Sequence, residues 1–186
     1  MILTGRDIHR EVLARRIHID DFDPMRLEPN SYGFRLAPTI ITYDDEEIDV
    51  HRPPTSRTVL MGTSGMLLEP GRFYLGATME AMGSPHYAAE LYACLSVSTL
   101  GVWIQFSAPL GHSGAIFPWT LEIAVACPVR VYPGMIMGKL AFWAMRGSPV
   151  RYQGRYEGSV SAVPSRLSLD AATAGAPADE HADRMA

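Results

Sequence analysis

Short runs in which apolar and polar residues alternate dominate the chain, and they predict strands. They are SYGFRLAPTIITY (31–43), RTVLM (57–61), MLLEPGRFYLGATMEAM (66–82), VWIQFSAPL (102–110), PWTLEIAVAC (118–127) and VRVYPGMIMGKLAFWAM (129–145). All are rich in β-branched and aromatic residues, and the pairs Pro70-Gly71, Gly111-His112 and Pro133-Gly134 punctuate them as turns. Many short strands at near-regular spacing argue for an all-β sandwich or barrel. Helical spacing appears near the start, where Thr4 can cap a helix carrying Asp7 in its first turn and Ile8, Val12 and Leu13 on one face. The stretch GSPHYAAELYACLSV (83–97) reads as a short helix feeding into a strand. From about Ala171 the residues are small and polar without periodicity, which predicts a disordered tail over 171–186 behind a single domain over 1–170.

One position breaks the apolar pattern. Glu122 lies between WTL and IAVA in the middle of a strand. Its neighbours Leu121 and Ile123 project to the opposite face. Glu122 therefore lies on the wet face of an alternating strand or in a pocket, because a buried carboxylate needs a partner or a task. Pro118 in the same strand cannot donate to a ladder, so it belongs at an edge or a bulge.

Composition narrows the chemistry. The 186 residues carry a net charge of −4, so no basic field invites nucleic acid or an anionic membrane. Arginine supplies almost all the positive charge and Lys139 is the only lysine. Two cysteines, Cys94 and Cys127, make no disulfide framework and fit a reducing compartment. No apolar run approaches the roughly 20 residues of a membrane span, and the start of the chain lacks the pattern of a signal peptide, so the expected location is the cytoplasm. The chain contains no P-loop, no dinucleotide fingerprint, no HExxH, no nucleophile elbow and no zinc-deaminase signature, and its histidines (9, 18, 51, 86, 112, 181) lack metal-ligand spacing. What remains is water activation by a carboxylate, or simple binding.

Several stretches in order resemble one family. They are EPNSYGFRL (28–36), LEPGRFYLGATMEAM (68–82), CLSVSTLGVWI (94–104), GHSGAIFPWTLEI (111–123), PVRVYPGMIMGKLAFW (128–143) and YQGRYEGSVSAVPSRL (152–167). Together they are similar to the dCTP deaminase branch of the trimeric dUTPase superfamily over residues 1–170. The resemblance implies a distorted, jelly-roll-like β-barrel with a short N-terminal helix, assembled as a homotrimer with sites between subunits. It implies a C-terminal lid at about 150–170, and magnesium carried by nucleotide phosphates and held by no protein ligand. It also implies a zinc-free deaminase in which a glutamate activates the water that attacks C4 of cytosine. Glu122 falls on that glutamate.

The match departs from the family where substrate binds. The family's Gly-Arg-Ser-Ser-x-x-Arg-x-Gly phosphate loop reads here as 93–101, ACLSVSTLG, with Cys94 and Thr99 in place of both arginines and Leu95 in place of the first serine. Each lost charge-assisted bond costs about 1.5–3 kcal/mol. Gly33 stands where the family usually has aspartate, and AIFPW (115–119) adds bulk to the hairpin before Glu122. The candidate catalytic residues are Glu122 and the surviving Ser96. The candidate substrate contacts are Gln105, Ser98, Thr99 and His112, with Arg151, Tyr152, Arg155 and Arg166 from the lid and Tyr156 beside them. Three readings stay open at this point: a deaminase of a cytosine deoxynucleotide, a diphosphatase acting on a different nucleoside triphosphate, and a non-catalytic trimer that binds a nucleotide or a protein.

Overall fold

The computed structural model describes residues 1–173. Helix α1 (Gly5–Leu13) starts where Thr4 Oγ1 accepts a hydrogen bond from Asp7 N at 3.2 Å. Strand β1 (His18–Ile19), a single 3-10 turn (Pro24–Arg26) and β2 (Leu27–Glu28) follow. Then come β3 (Ser31–Arg35), β4 (Thr39–Tyr43), β5 (Ser56–Leu60), β6 (Met66–Leu68), β7 (Tyr74–Gly83) and β8 (Tyr87–Ala93). A one-turn helix α2 (Leu95–Ser98) leads to β9 (Val102–Trp103), β10 (Leu110–Gly111), β11 (Phe117–Val125), β12 (Val129–Val131) and β13 (Ile136–Ala144). Helix α3 (Ser168–Thr173) ends the described chain, so the expected polar tail lies outside the described residues from 174 onward. Among the described residues no helix is long and apolar enough to cross a membrane.

The strands form two main antiparallel sheets, as the mostly β reading expects. One has the order β5-β4-β7-β11-β9, with β1 paired to the end of β7; the other has the order β10-β8-β13-β3-β2. A two-stranded ribbon joins β12 to β6. Between the sheets lies one core, in which Tyr32 and Phe34 of β3, Leu140 and Phe142 of β13, Ile40 of β4, Tyr74 of β7 and Leu121 and Ile123 of β11 are buried. A smaller cluster of Ala37, Ile41, Leu75, Ala77 and Ala162 with Tyr43 is separate from this core, and its Ala162 comes from the C-terminal segment. That segment is thereby tied to the β4–β7 region.

Two local expectations are corrected. The stretch 83–97 runs strand then helix, the reverse of the expected order: Tyr87–Ala93 is β8 and pairs with both β13 and β10. Ala88 and Ala89 favour a helix in isolation, but a strand that buries Ala89 and Leu91 against the core outweighs that preference. On α1, Ile8 is buried and Val12 packs against the core as expected, but Leu13 is exposed and Glu11 is buried in its place.

Glu11 is accommodated because it is fully partnered. Arg16 donates to it through Nε at 2.5 Å and through its terminal nitrogen at 2.7 Å, and the Tyr87 hydroxyl donates at 2.8 Å. The Arg16 hydrogen bonds, opposed by burial and helped by Tyr87, lower its carboxyl from 4.5 to about 2. A folded-state value below the unfolded one makes this stabilisation complete above about pH 4.5, and it is lost as pH falls towards 2. Melting temperature against pH is therefore expected to fall across that window in the wild type and to fall less in Glu11→Gln, which starts lower at neutral pH. Parallel curves would contradict this role.

Candidate active site

The alternation along β11 answers the question Glu122 raises. Trp119, Leu121, Ile123 and Val125 are buried, whereas Pro118, Thr120, Glu122 and Ala124 are half-buried on the other face. Register with β7 sets Glu122 opposite Leu75 and Thr120 opposite Ala77. The ladder shifts between Pro118 and Thr120, so Pro118 sits at a bulge. That bulge is anchored by Trp119, whose backbone N–H donates to Thr78 Oγ1 at 2.8 Å and whose indole donates to Met82 O at 3.0 Å. The Trp119 ring packs so closely on Gly111 that a Cβ there would lie 1.9 Å from it.

Glu122 lines a cavity of about 480 Å³. Its Oε2 accepts a hydrogen bond from the Phe106 backbone N–H at 2.8 Å, and its own N–H donates to Ile104 O at 3.0 Å. One carboxylate oxygen is thus held in place, which fixes the direction of the other. The rest of the wall is largely aromatic: Tyr43, Phe73, Phe117 and Trp119 from the strands and loops, Tyr152 and Tyr156 from the C-terminal segment.

The C-terminal segment lies across this cavity. Tyr152 N donates to Ser113 O at 2.7 Å and Ser113 Oγ donates to Val150 O at 2.6 Å. Val163 N donates to Thr120 Oγ1 at 3.2 Å, and Ser165 N donates to the Tyr43 hydroxyl at 3.1 Å. His112 stacks on Tyr152 with ring centroids 5.7 Å apart and planes 11° apart. Of the sequence-predicted residues, Glu122, His112 and Tyr152 therefore meet in one place, with Tyr156 beside them.

The others are placed elsewhere. Ser96, Ser98 and Thr99 are exposed on or beside α2, where Ser98 Oγ donates to Cys94 O at 3.2 Å. Gln105 and Ser98 line a separate hollow of about 170 Å³ with Trp103 and Ile104. The three arginines of the C-terminal segment are engaged in pairs: Arg151 with Glu157 at 3.4 Å, Arg155 with Asp170 at 2.5 Å, and Arg166 with the carbonyl of Arg155 and the face of Tyr156. Cys94 is half-buried, and desolvation followed by the nearby Glu28 charge pushes its thiol up, which makes it a packing residue and a poor nucleophile.

Sequence reasoning missed Thr120, Tyr43 and Phe73 as wall residues. Thr120 had a signal, because it stands two positions before Glu122 on the same face of an alternating strand. Tyr43 and Phe73 had none, because only the β4–β7–β11 pairing brings them to Glu122.

Comparison with known proteins identifies relatives of the chain. The family model described as dCTP deaminase-like matches residues 2–145. A protein of Cytophaga hutchinsonii named dCTP deaminase, dUMP-forming, is 36% identical over 171 residues, covering 91% of this chain and 98% of the relative. One of Leptospira biflexa with the same name is 34% identical over 171 residues, with the same coverage. A dCTP deaminase of Rhodopirellula baltica is 34% identical over 168 residues, covering 90% of this chain and 84% of its own. The crystal structure of 2'-deoxycytidine 5'-triphosphate deaminase from Agrobacterium tumefaciens superposes with a TM-score of 0.60 over 76% of this chain and 47% of that one; at 19% identity it supports the fold. On the family match and on relatives more than 30% identical along nearly the whole chain, this protein belongs to the dCTP deaminase-like family.

Proposed function

We propose that the protein hydrolytically deaminates the cytosine ring of a deoxynucleotide in the cytoplasm, with Glu122 activating the water. The observation that carries this reading is a single carboxylate, fixed by the Phe106 N–H, in the wall of an aromatic cavity. In this reading the carboxylate takes a proton from water and hydroxide adds to C4. The proton passes to N3, and a tetrahedral carbon bearing both –OH and –NH₂ forms. The C4 hydroxyl proton then passes through the carboxylate to the amine, which leaves as ammonia, and the ring becomes uracil. Aromatic walls exclude bulk water and suit the faces of a pyrimidine. Magnesium enters only with the nucleotide's phosphates.

The exposed α2 turn suits a homotrimer in this reading. Leu95 and Leu100 are 75% and 55% exposed beside Ser96, Ser98 and Thr99, which places apolar contacts and hydroxyls where a neighbouring subunit can meet them. Ser96 and Gln105 then act across the subunit boundary. The substitutions Cys94 and Thr99 favour a second reading, a trimer that binds a nucleotide without turning it over.

Ammonia release from deoxycytidine compounds, measured together with their thermal shift on the wild type and on Glu122→Gln, separates the two. Release that needs Glu122, with ligand binding retained in the variant, supports deamination. Binding to the wild type without ammonia supports the second reading.

A further inference from the structure

We infer that the Glu122 cavity takes a cytosine nucleoside carrying at most one phosphate, deoxycytidine or its monophosphate, in preference to the triphosphate. This rests on the deamination reading and extends it to the nucleoside without phosphate.

The charge around the cavity carries the inference. Among the described residues that line it, Glu122 is the one carboxylate, His112 is the one side chain able to take a positive charge, and neither arginine nor lysine contributes. A nucleoside triphosphate brings about four negative charges, and proteins hold such a group with several guanidinium, ammonium or metal contacts. The arginines of the segment over the cavity are not among its lining residues, and they pair at the surface with Glu157, with Asp170, and with a backbone carbonyl and the Tyr156 ring. Lys139 is paired with Glu28 at 3.0 Å.

The turn over α2 does not make up the difference. Cys94, Leu95, Ser96, Ser98, Thr99 and Leu100 offer a thiol, hydroxyls and apolar surface, and a second copy bringing this turn to the cavity adds no guanidinium with it. The thiol is half-buried, and burial followed by the Glu28 charge pushes its pKa up.

The cavity is well suited to the uncharged end of such a molecule. Its volume of about 480 Å³ is that of a small-ligand pocket. Aromatic rings surround a carboxylate that can meet the amidine edge of cytosine, and Thr120 and Ser159 supply hydroxyls for the sugar. His112, stacked on Tyr152 at the cavity wall, can meet one phosphate. The reaction then leaves the phosphate number unchanged: water enters at C4, ammonia leaves, and no diphosphate is released.

The test compares deoxycytidine, dCMP and dCTP, each with and without magnesium, on the full-length protein, reading ammonia release and the nucleotide product. The expected result is a kcat/KM for deoxycytidine or dCMP at least tenfold above that for dCTP, with the better substrate indifferent to magnesium. A smaller preference, a preference for dCTP, or dUMP formed from dCTP overturns the inference and leaves the deamination reading standing. If none of the three releases ammonia, the deamination reading fails, and calorimetry on the wild type decides the inference alone. Tighter binding of deoxycytidine or dCMP than of dCTP upholds it; tighter dCTP, or no binding of any, overturns it.

Discussion

Glu122→Gln is expected to fold like the wild type and to lower ammonia release by about 10²–10⁴-fold, the range that general acid–base catalysis supplies. The carboxamide oxygen can still accept from the Phe106 N–H, so the anchor that holds the side chain survives the change. Its position on the half-buried face of β11 leaves the core packing of Leu121 and Ile123 undisturbed. What is lost is the ability to take a proton from water and return it. KM is expected to change far less than kcat, since an interaction made only in the transition state shows itself in kcat. Glu122→Asp is expected to retain partial activity at most, because the shorter side chain cannot keep the Phe106 hydrogen bond and the same reach into the cavity at once. A Glu122→Gln protein with near-normal kcat would remove the carboxylate from the chemistry.

Glu80→Gln is expected to be the most damaging single polar substitution for stability. Glu80 on β7 is almost fully buried and receives three contacts: Arg35 Nε at 2.7 Å, the Arg35 backbone N–H at 3.0 Å, and an ion pair with Arg26. Arg26 is held in turn by Asp21 O at 2.6 Å and lies over the Tyr32 ring at 4.9 Å. Removing the charge leaves two guanidinium groups facing a neutral amide inside the fold. Breaking a buried pair in this way costs about 3–5 kcal/mol, which for a domain of this size lowers Tm by roughly 6–20 °C. The exposed pair Arg57–Asp44, at 3.3 Å, is the control: Arg57→Ala is expected to cost about 0–1 kcal/mol. Equal losses from Glu80→Gln and Arg57→Ala in thermal or denaturant unfolding would contradict the ranking.

The strand pattern was legible in the sequence wherever one face is dry. In β11 the alternation of Trp119, Leu121, Ile123 and Val125 with Thr120 and Glu122 can be read directly, and it already places Glu122 away from the main core. The Pro118 bulge follows from the missing N–H. Local reading failed where distant pairing decides the outcome. In β8, Ala88 and Ala89 favour helix, and only β13 and β10 make them strand. The Glu80 network was invisible because its arginines stand 45 and 54 positions away in the chain. The site was half legible: Glu122, His112 and Tyr152 come together, whereas Ser96, Ser98, Thr99 and Gln105 project elsewhere. Ser96, Ser98 and Thr99 belong to the 93–101 loop and Gln105 to the strand before the hairpin, and the order of residues along one chain carries no record of what meets them in space.

The most direct test of the central claim is a single-turnover deamination in H₂¹⁸O, with the product analysed by mass spectrometry and ammonia measured in the same sample. If Glu122 activates water for attack on C4, the wild type yields one ammonia per turnover and a uracil product carrying one ¹⁸O, and Glu122→Gln yields neither at a comparable rate. Release of ammonia with no label in the uracil ring, or equal labelling by the Glu122→Gln protein, would contradict the account.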